Sequence, residues 1–352
     1  GEVEQESDKA ALDEDHEHSI MRVQAMSEVP FNETAAADAE LLILGPAQLR
    51  PHALPPLPAG VSPALISHVV AEQLHLQPLV VDLGCAVAPA VPHVRLPGEA
   101  AGGPALCLSG GAALERQRVA ALVAQGRDWG QALAAAGESL VLAECVPGGT
   151  TTAQALLSGL GLEVEGLVSG SLRQPAHGLK AQLVRRGLAA AAARDRADPL
   201  DLVAAVGDAM QPLGAGLILG MVCGEAPLML AGGSQMVAVL ALALALAPPP
   251  LRPRIAAQAA VVTTAWVADE PGSDLARLLG LVAGRWQVDP LAFAASLRFS
   301  RGCHPALGDY ERGYVKEGVG AGGLALLWEL RGGDPLALAM ACDHACGLLQ
   351  PR

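Results

Sequence analysis

Aromatic side chains are scarce here: three Phe, two Tyr and four Trp in 352 residues, 3% of the chain. With 51% hydrophobic residues, the core must be built from Ala, Leu and Val, which favours helices packed closely on a sheet. Positive charge is also short. There are 23 Lys and Arg against 36 Asp and Glu, and the formal net charge of −13 argues against nucleic acid or an anionic membrane as partner. No apolar run is long and unbroken. The longest, Ala226 to Ala247, is interrupted by Gly232-Gly233-Ser234-Gln235, and each side is too short for the ~30 Å hydrocarbon core, so a strand, a glycine turn and a buried helix are expected. Paired metal-ligand cysteines are missing too. The seven cysteines are scattered and read as free thiols in a reducing cytosol, giving a cytoplasmic expectation. Cys342-x-x-x-Cys346, with His344 between, has helical spacing and no second ligand pair, so no metal is expected. The first twenty residues are acidic rather than basic-then-apolar, which is no secretory signal.

Two familiar nucleotide signatures fail. Nothing reads G-x-x-x-x-G-K-[ST], so P-loop chemistry is set aside. Gly318, Gly320 and Gly323 satisfy G-x-G-x-x-G in letter, but Val315-Lys316-Glu317 is no hydrophobic strand and too little chain follows for a βαβ unit. No His is placed to activate Cys145, and His304 reads as a loop residue.

What the chain does have is a pair of carboxylate–glycine junctions. An apolar run, Ser139 to Ala143, reads as a buried strand; Glu144-Cys145-Val146-Pro147-Gly148-Gly149-Thr150-Thr151-Thr152 follows and opens an Ala/Leu-rich helix. Glycines let backbone N–H groups converge, a helix N-terminus adds partial positive charge, and hydroxyls can cap the helix or donate to an anion. Alone, this is equally an N-capped helix after a tight turn. A second junction, Lys316-Glu317-Gly318-Val319-Gly320-Ala321-Gly322-Gly323, precedes another apolar helix and suggests one shared phosphate site. Glu317, among glycines, would be partly desolvated and so suited to proton abstraction; the alternative is a surface ion pair with Lys316 or Arg312. Lys180 and Arg173 are candidate phosphate partners or members of a solvated basic face.

Along the chain, the first thirty residues are Glu/Asp-rich and read as a mobile arm, with residues 31–352 forming one α/β domain. Leu41 to Leu44 and Leu79 to Leu83 are predicted strands, Pro63 to Leu74 a helix, 85–105 a surface excursion, and the chain then helical to Ala136. Asp198 starts a short helix ending at Val206, Met210 to Ala215 is a turn, Pro227 to Leu230 a strand, Met236 to Ala247 a helix and Ala259 to Trp266 a strand. Alternation of this kind predicts a three-layer α/β fold: a doubly wound, mostly parallel sheet with helices on both faces and a smaller helical part from the termini.

These residues carry a family resemblance. Glu144 to Ala153 resembles the E-x-x-x-G-x-T-T loop of nicotinate mononucleotide:5,6-dimethylbenzimidazole phosphoribosyltransferases, and more closely an archaeal and cyanobacterial branch reading E-x-V-P-G-G-T-T-T-A. That branch also shows V-G-D-x-M-Q-P (Val206 to Pro212), L-A-G-G-x-Q-M-x-A-V-L (Leu230 to Leu240) and V-K-E-G-V-G-A-G-G (Val315 to Gly323), in this order. The resemblance spans Thr34 to the C-terminus. It implies a homodimer that transfers phosphoribose from nicotinate mononucleotide to a benzimidazole-type or purine base, giving an α-ribazole phosphate for the cobalamin lower ligand, without cofactor. It implies Glu317 as general base, Glu144 as the carboxylate near nicotinate and ribose, and Gly148 to Thr152, Lys180 and Gly318 to Gly323 around the phosphate. The other motif residues (Asp208, Gly232, Gly233, Ser234, Gln235 and Lys316) are expected at the same site. The chain lacks the P-P-G-S-L-G segment that holds the acceptor base in another branch, which leaves open a silent nucleotide-binding protein or a nicotinate nucleotide hydrolase.

Overall fold

The computed structural model describes residues 33–54, 59–192 and 198–349; the acidic arm expected over the first thirty residues lies outside them. Its centre is a four-stranded parallel sheet of β3 (Leu140–Ala143), β4 (Leu228–Ala231), β5 (Ala259–Thr263) and β6 (Ala292–Ala294), side by side in that order, after a two-stranded parallel pair, β1 (Val81–Asp82) and β2 (Val94–Arg95). Register aligns the strand ends: Ala143 pairs with Ala231 and Ala231 with Val262. β3 is half-buried along its length rather than buried, because it forms an edge of the sheet.

Helices cover both faces. On one lie α3 (Arg116–Ala136), α4 (Gly149–Gly159), α5 (His177–Ala192), α6 (Pro199–Val206), α7 (Met210–Met221), α8 (Ser234–Leu246), α9 (Arg252–Gln258), α10 (Ala265–Ala268) and α11 (Leu275–Trp286). On the other, α1 (Thr34–Leu44), α2 (Ala64–Gln73), α12 (Pro305–Glu311), α13 (Ala321–Leu330) and α14 (Pro335–Gly347) enclose a second core in which Trp266 stacks on Phe299 and Tyr310 packs tilted against both. Ala and Val fill much of α8, whose residues from Met236 to Leu244 are all fully buried; small side chains let it lie directly on the sheet.

Three sequence expectations are corrected. Leu41 to Leu44 is the last turn of α1, not a strand: the Ala-rich stretch before it continues the helix, and four apolar residues carry no periodicity of their own. Met210 to Ala215 is the start of α7, not a turn. Pro212 sits in its first turn, where a missing N–H costs nothing. The glycines of α7 serve close helix packing: a Cβ on Gly216 would lie 2.3 Å from the Val123 carbonyl oxygen of α3, and one on Gly126 2.2 Å from that of Leu213 in α7. Finally, β5 stops at Thr263, because Thr264 caps α10 by accepting from the Val267 N–H, and Trp266 is helical.

All seven cysteines are free, and Cys342 and Cys346 are buried on α14. Among the described residues no cluster of His, Cys, Asp and Glu has the arrangement of a metal site, and no helix is long and apolar enough to cross a membrane. His304 is the N-cap of α12, its ring accepting from Ala306 N–H.

Candidate active site

The carboxyl ends of β3, β4 and β5 each run into a loop, and ligands of parallel sheets sit at such ends. After β3, Gly148 takes a left-handed φ of 77° and starts α4 at Gly149. After β4, Gly232 and Gly233 lead into α8; after β5 come Thr264 and α10. Across all three lies the C-terminal glycine loop. Val319 N–H donates to the Glu144 carbonyl at 2.9 Å, joining the two carboxylate junctions directly. A Cβ on Gly320 would stand 2.7 Å from Ala143 Cβ, one on Gly323 2.3 Å from Ala231 Cβ, and one on Gly322 2.1 Å from the Thr263 carbonyl carbon. These glycines let the loop lie flat on the strand ends.

The loop is strained. Val315, Lys316 and Val319 have φ of 66°, 62° and 52°, values that residues with side chains, β-branched ones above all, adopt only under constraint. The constraint comes from Val315 N–H to Ser171 C=O (2.9 Å), Val319 N–H to Glu144 C=O, and the Ser67 hydroxyl to Val319 C=O (2.7 Å).

Glu317 is half-buried and accepts four hydrogen bonds. Oε2 receives Thr264 N–H (2.8 Å) and the Thr263 hydroxyl (3.1 Å); Oε1 receives Gly318 N–H (3.0 Å) and Gly322 N–H (3.2 Å). Burial nevertheless pushes its pKa above the usual carboxylate range, the four donors opposing that rise. The alternative surface ion pair is excluded: Arg312 pairs with Asp309, and Lys316 with Glu270. Glu144, also half-buried, accepts from Val146 N–H at 2.8 Å. Its pKa is pushed up to about 8, first by burial and then by the neighbouring charges of Asp208 and Glu317, against a hydrogen bond from Gln235. Both carboxyls are thus raised, Glu144 to about 8, which lets Glu144 donate near neutral pH, while the four donors around Glu317 favour its ionised, accepting form.

Asp208 is buried, its pKa raised by desolvation. It accepts from the Thr152 hydroxyl (2.5 Å) and from Met210 and Gln211 N–H (3.1 and 3.2 Å), so it ties α4 to the start of α7. Gln235 fills the space over Gly149, where a Cβ would be 2.0 Å from its Nε2. Thr150 and Thr151 stand half-exposed on the first turn of α4, and nothing crowds Gly148. Ser234 Oγ accepts from Ser169 N–H at 3.1 Å, and Lys180 Nζ, buried, donates to Ser169 C=O. Lys180 is thus not on a solvated face. Its pKa falls to about 8 because burial outweighs the attraction of Glu270, with Lys316 adding repulsion. Arg173 is exposed, its stem near Gly313.

Lys316 is the exception among the sequence candidates. It is 1% exposed; its Nζ donates to Leu172 C=O (2.7 Å) and Gly313 C=O (3.0 Å) and is ion-paired with Glu270 Oε1 at 2.9 Å, which holds it away from a substrate. Glu270, which joins the lysines, escaped sequence reasoning because Asp269-Glu270-Pro271-Gly272 looks like any polar turn.

The protonation state of Glu144 has a measurable consequence. Its pKa is raised on folding from the ordinary 4.5, so its neutral form adds stability below that value, and the contribution is lost as pH rises through about 8. Glu144→Gln, neutral at every pH, is expected to gain in Tm over the parent between pH 5 and 8, the gain levelling off above 8. A Tm difference constant across that range would refute the assignment.

A model described as phosphoribosyltransferase (DBI_PRT) matches residues 63–262. A UPF0284 protein of Prochlorococcus marinus (strain MIT 9313) is 50% identical over 325 residues, covering 90% of this chain and 79% of that protein. A UPF0284 protein of Parasynechococcus marenigrum (strain WH8102) is 48% identical over 317 residues, covering 89% and 79%. The fold is similar to two structures from Thermus thermophilus. One is a nicotinate-nucleotide–dimethylbenzimidazole phosphoribosyltransferase (TM-score 0.57, 20% identity, 94% of this chain and 82% of that one) and the other CobT (TM-score 0.55, 21% identity, 92% and 79%). With the matched residues carrying the Glu144 junction, Lys180, Asp208 and the Gly232 loop, this chain belongs to the phosphoribosyltransferase family and is a pentosyl-transferring enzyme.

Proposed function

We propose that the protein transfers phosphoribose from nicotinate mononucleotide to an aromatic base of the benzimidazole type, supplying an α-ribazole phosphate for the cobalamin lower ligand. The observation that carries this reading is the Val319–Glu144 hydrogen bond, which sets a base loop against a phosphate loop. Gly148, Gly149 and the half-exposed hydroxyls of Thr150 and Thr151 receive the ribose phosphate at the start of α4, with the Thr152 hydroxyl tied to Asp208 in support and Lys180 supplying charge. Asp208, Gln235 and the Gly232-Gly233-Ser234 turn shape the same site.

In the reaction the bond from ribose C1′ to the nicotinate nitrogen breaks, its electron pair leaving with nicotinate. The ring nitrogen of the acceptor that carries the free lone pair bonds to C1′, and the proton on the other ring nitrogen goes to Glu317. All four Glu317 acceptor positions are filled, so one donor must yield; the Thr263 hydroxyl can do so by rotating from donor to acceptor as Glu317 gains the proton. Nicotinate is a good leaving group, so positioning and deprotonation suffice. Neutral Glu144 stands ready to donate toward the nicotinate or ribose.

The test is incubation with nicotinate mononucleotide and a panel of benzimidazoles and purines. Release of nicotinate that depends on an acceptor, with a ribosylated base formed in equal amount, is the expected result. Release without acceptor would make the protein a hydrolase; nucleotide binding with no release under any condition would make it a binding protein.

A further inference from the structure

Behind the base loop lies a buried charge cluster that does not balance. Lys180 and Lys316, on α5 and on the C-terminal loop, are 7% and 1% exposed and share a single carboxylate, Glu270, itself 7% exposed. Glu270 Oε1 is 2.9 Å from Lys316 Nζ, while Oε2 accepts the hydroxyls of Ser169 (2.5 Å) and Ser273 (2.7 Å). Ser169 also offers its carbonyl to Lys180. Two ammonium groups against one carboxylate leave a positive charge inside the protein, which costs several kcal/mol unless an anion joins it. Lys316, at 1% exposure, is enclosed by the Glu270 carboxylate and two backbone carbonyls, whereas the Ser169 carbonyl takes one of the three donors of Lys180, which is 7% exposed. The place for the missing anion is therefore beside Lys180.

We infer that Glu270 is a positioning residue with two tasks: through Lys316 it holds the strained backbone that presents Glu317, and through its charge it keeps Lys180 protonated for the ribose-bound phosphate. This rests on the reading that Lys180 meets that phosphate. Phosphate grip and base placement are then parts of one buried network.

The two charges facing Lys180 act on it with opposite sign, Glu270 favouring its charged form and Lys316 opposing it. The other titratable group of its helix's first turn, His177, is tied by Nε2 to the Gly272 carbonyl (2.7 Å), and Arg173 is exposed near Gly313. Glu144 titrates in the same range but answers to Asp208 and Glu317, which the substitutions below leave in place.

The test is calorimetric binding of nicotinate mononucleotide from pH 7 to 10, where its phosphate is already a dianion and the alkaline loss of affinity reports the protein. Glu270→Gln is expected to move the midpoint of that loss down by about one pH unit, and Lys316→Met to move it up by a similar amount. Glu270→Asp, which keeps the charge, should stay near the parent. Turnover should fall about 10²-fold in Glu270→Gln, through misplacement of Glu317, and recover in part in Glu270→Asp. Damage to the fold alone does not shift two midpoints in opposite directions. If Glu270→Gln does not fold, Lys316→Met decides: an unmoved or lowered midpoint overturns the inference, as do shifts of the same sign in both variants. A parent enzyme that transfers phosphoribose while the midpoints stay fixed overturns the role of Glu270 alone. Opposite shifts in a protein that binds the nucleotide but transfers nothing uphold Glu270 and overturn the transferase reading.

Discussion

Glu317→Gln is expected to lower the rate of phosphoribosyl transfer by roughly 10²–10⁴-fold, the range of general-base contributions, while nicotinate mononucleotide still binds. The substitution keeps the outline of the side chain and removes the proton acceptor. It is not innocent locally. Two of the four donors, the pair around one oxygen, must now face an amide NH2, and the geometry selects the Oε2 pair. The Thr263 hydroxyl can turn to accept, but Thr264 N–H, only 2.8 Å away, cannot. A modest stability loss, about 1–3 kcal/mol for one unsatisfied buried donor, should accompany the kinetic defect. Binding and melting measured on the same preparation separate the two effects. Transfer at the parental rate by a folded Glu317→Gln protein would remove Glu317 from the reaction.

The parts of this site legible in the sequence were those written in local chemistry. Glu144 and Glu317 announce themselves because each ends an apolar stretch or opens a glycine run, and the loops need those residues for contacts within a few positions. The sheet was legible for the same reason, since β4 and the glycine turn before α8 follow one another without interruption. What stayed hidden depends on distant partners. The glycines of α7 look like a turn in sequence; in space they accept the backbone of α3. Lys316 looks like the partner of its neighbour Glu317, yet a left-handed φ at Lys316 turns it to Glu270 instead. Burial of Lys180, and with it the fall of its pKa to about 8, comes from a cluster assembled out of three separate segments. No spacing rule connects them.

Gly322→Ala should be as damaging as loss of the base itself, although it adds only a methyl group. The new Cβ would lie 2.1 Å from the Thr263 carbonyl carbon, 2.3 Å from Thr264 N and 2.6 Å from Glu317 Oε2. Two of these are backbone atoms of the strand end, so no side-chain rotation relieves the clash and α13 must lift from β5. That movement pulls Gly322 N–H from Glu317 Oε1 and separates Glu317 Oε2 from Thr264 N–H, half of the donors that fix the carboxylate. The expected destabilisation is at the upper end of the overpacking range, about 3 kcal/mol, with at least ~10²-fold loss of transfer from the displaced base. Gly280→Ala provides the contrast. It lies in α11, exposed and with open space where its Cβ would go, and should leave activity unchanged and raise stability by up to about 1 kcal/mol. Melting curves and transfer rates for the two variants test whether the loop is held by close backbone contact: a Gly322→Ala protein as stable and active as the parent would show that α13 can retreat from the strand ends without disturbing Glu317, and the account of how that carboxylate is aimed would fail.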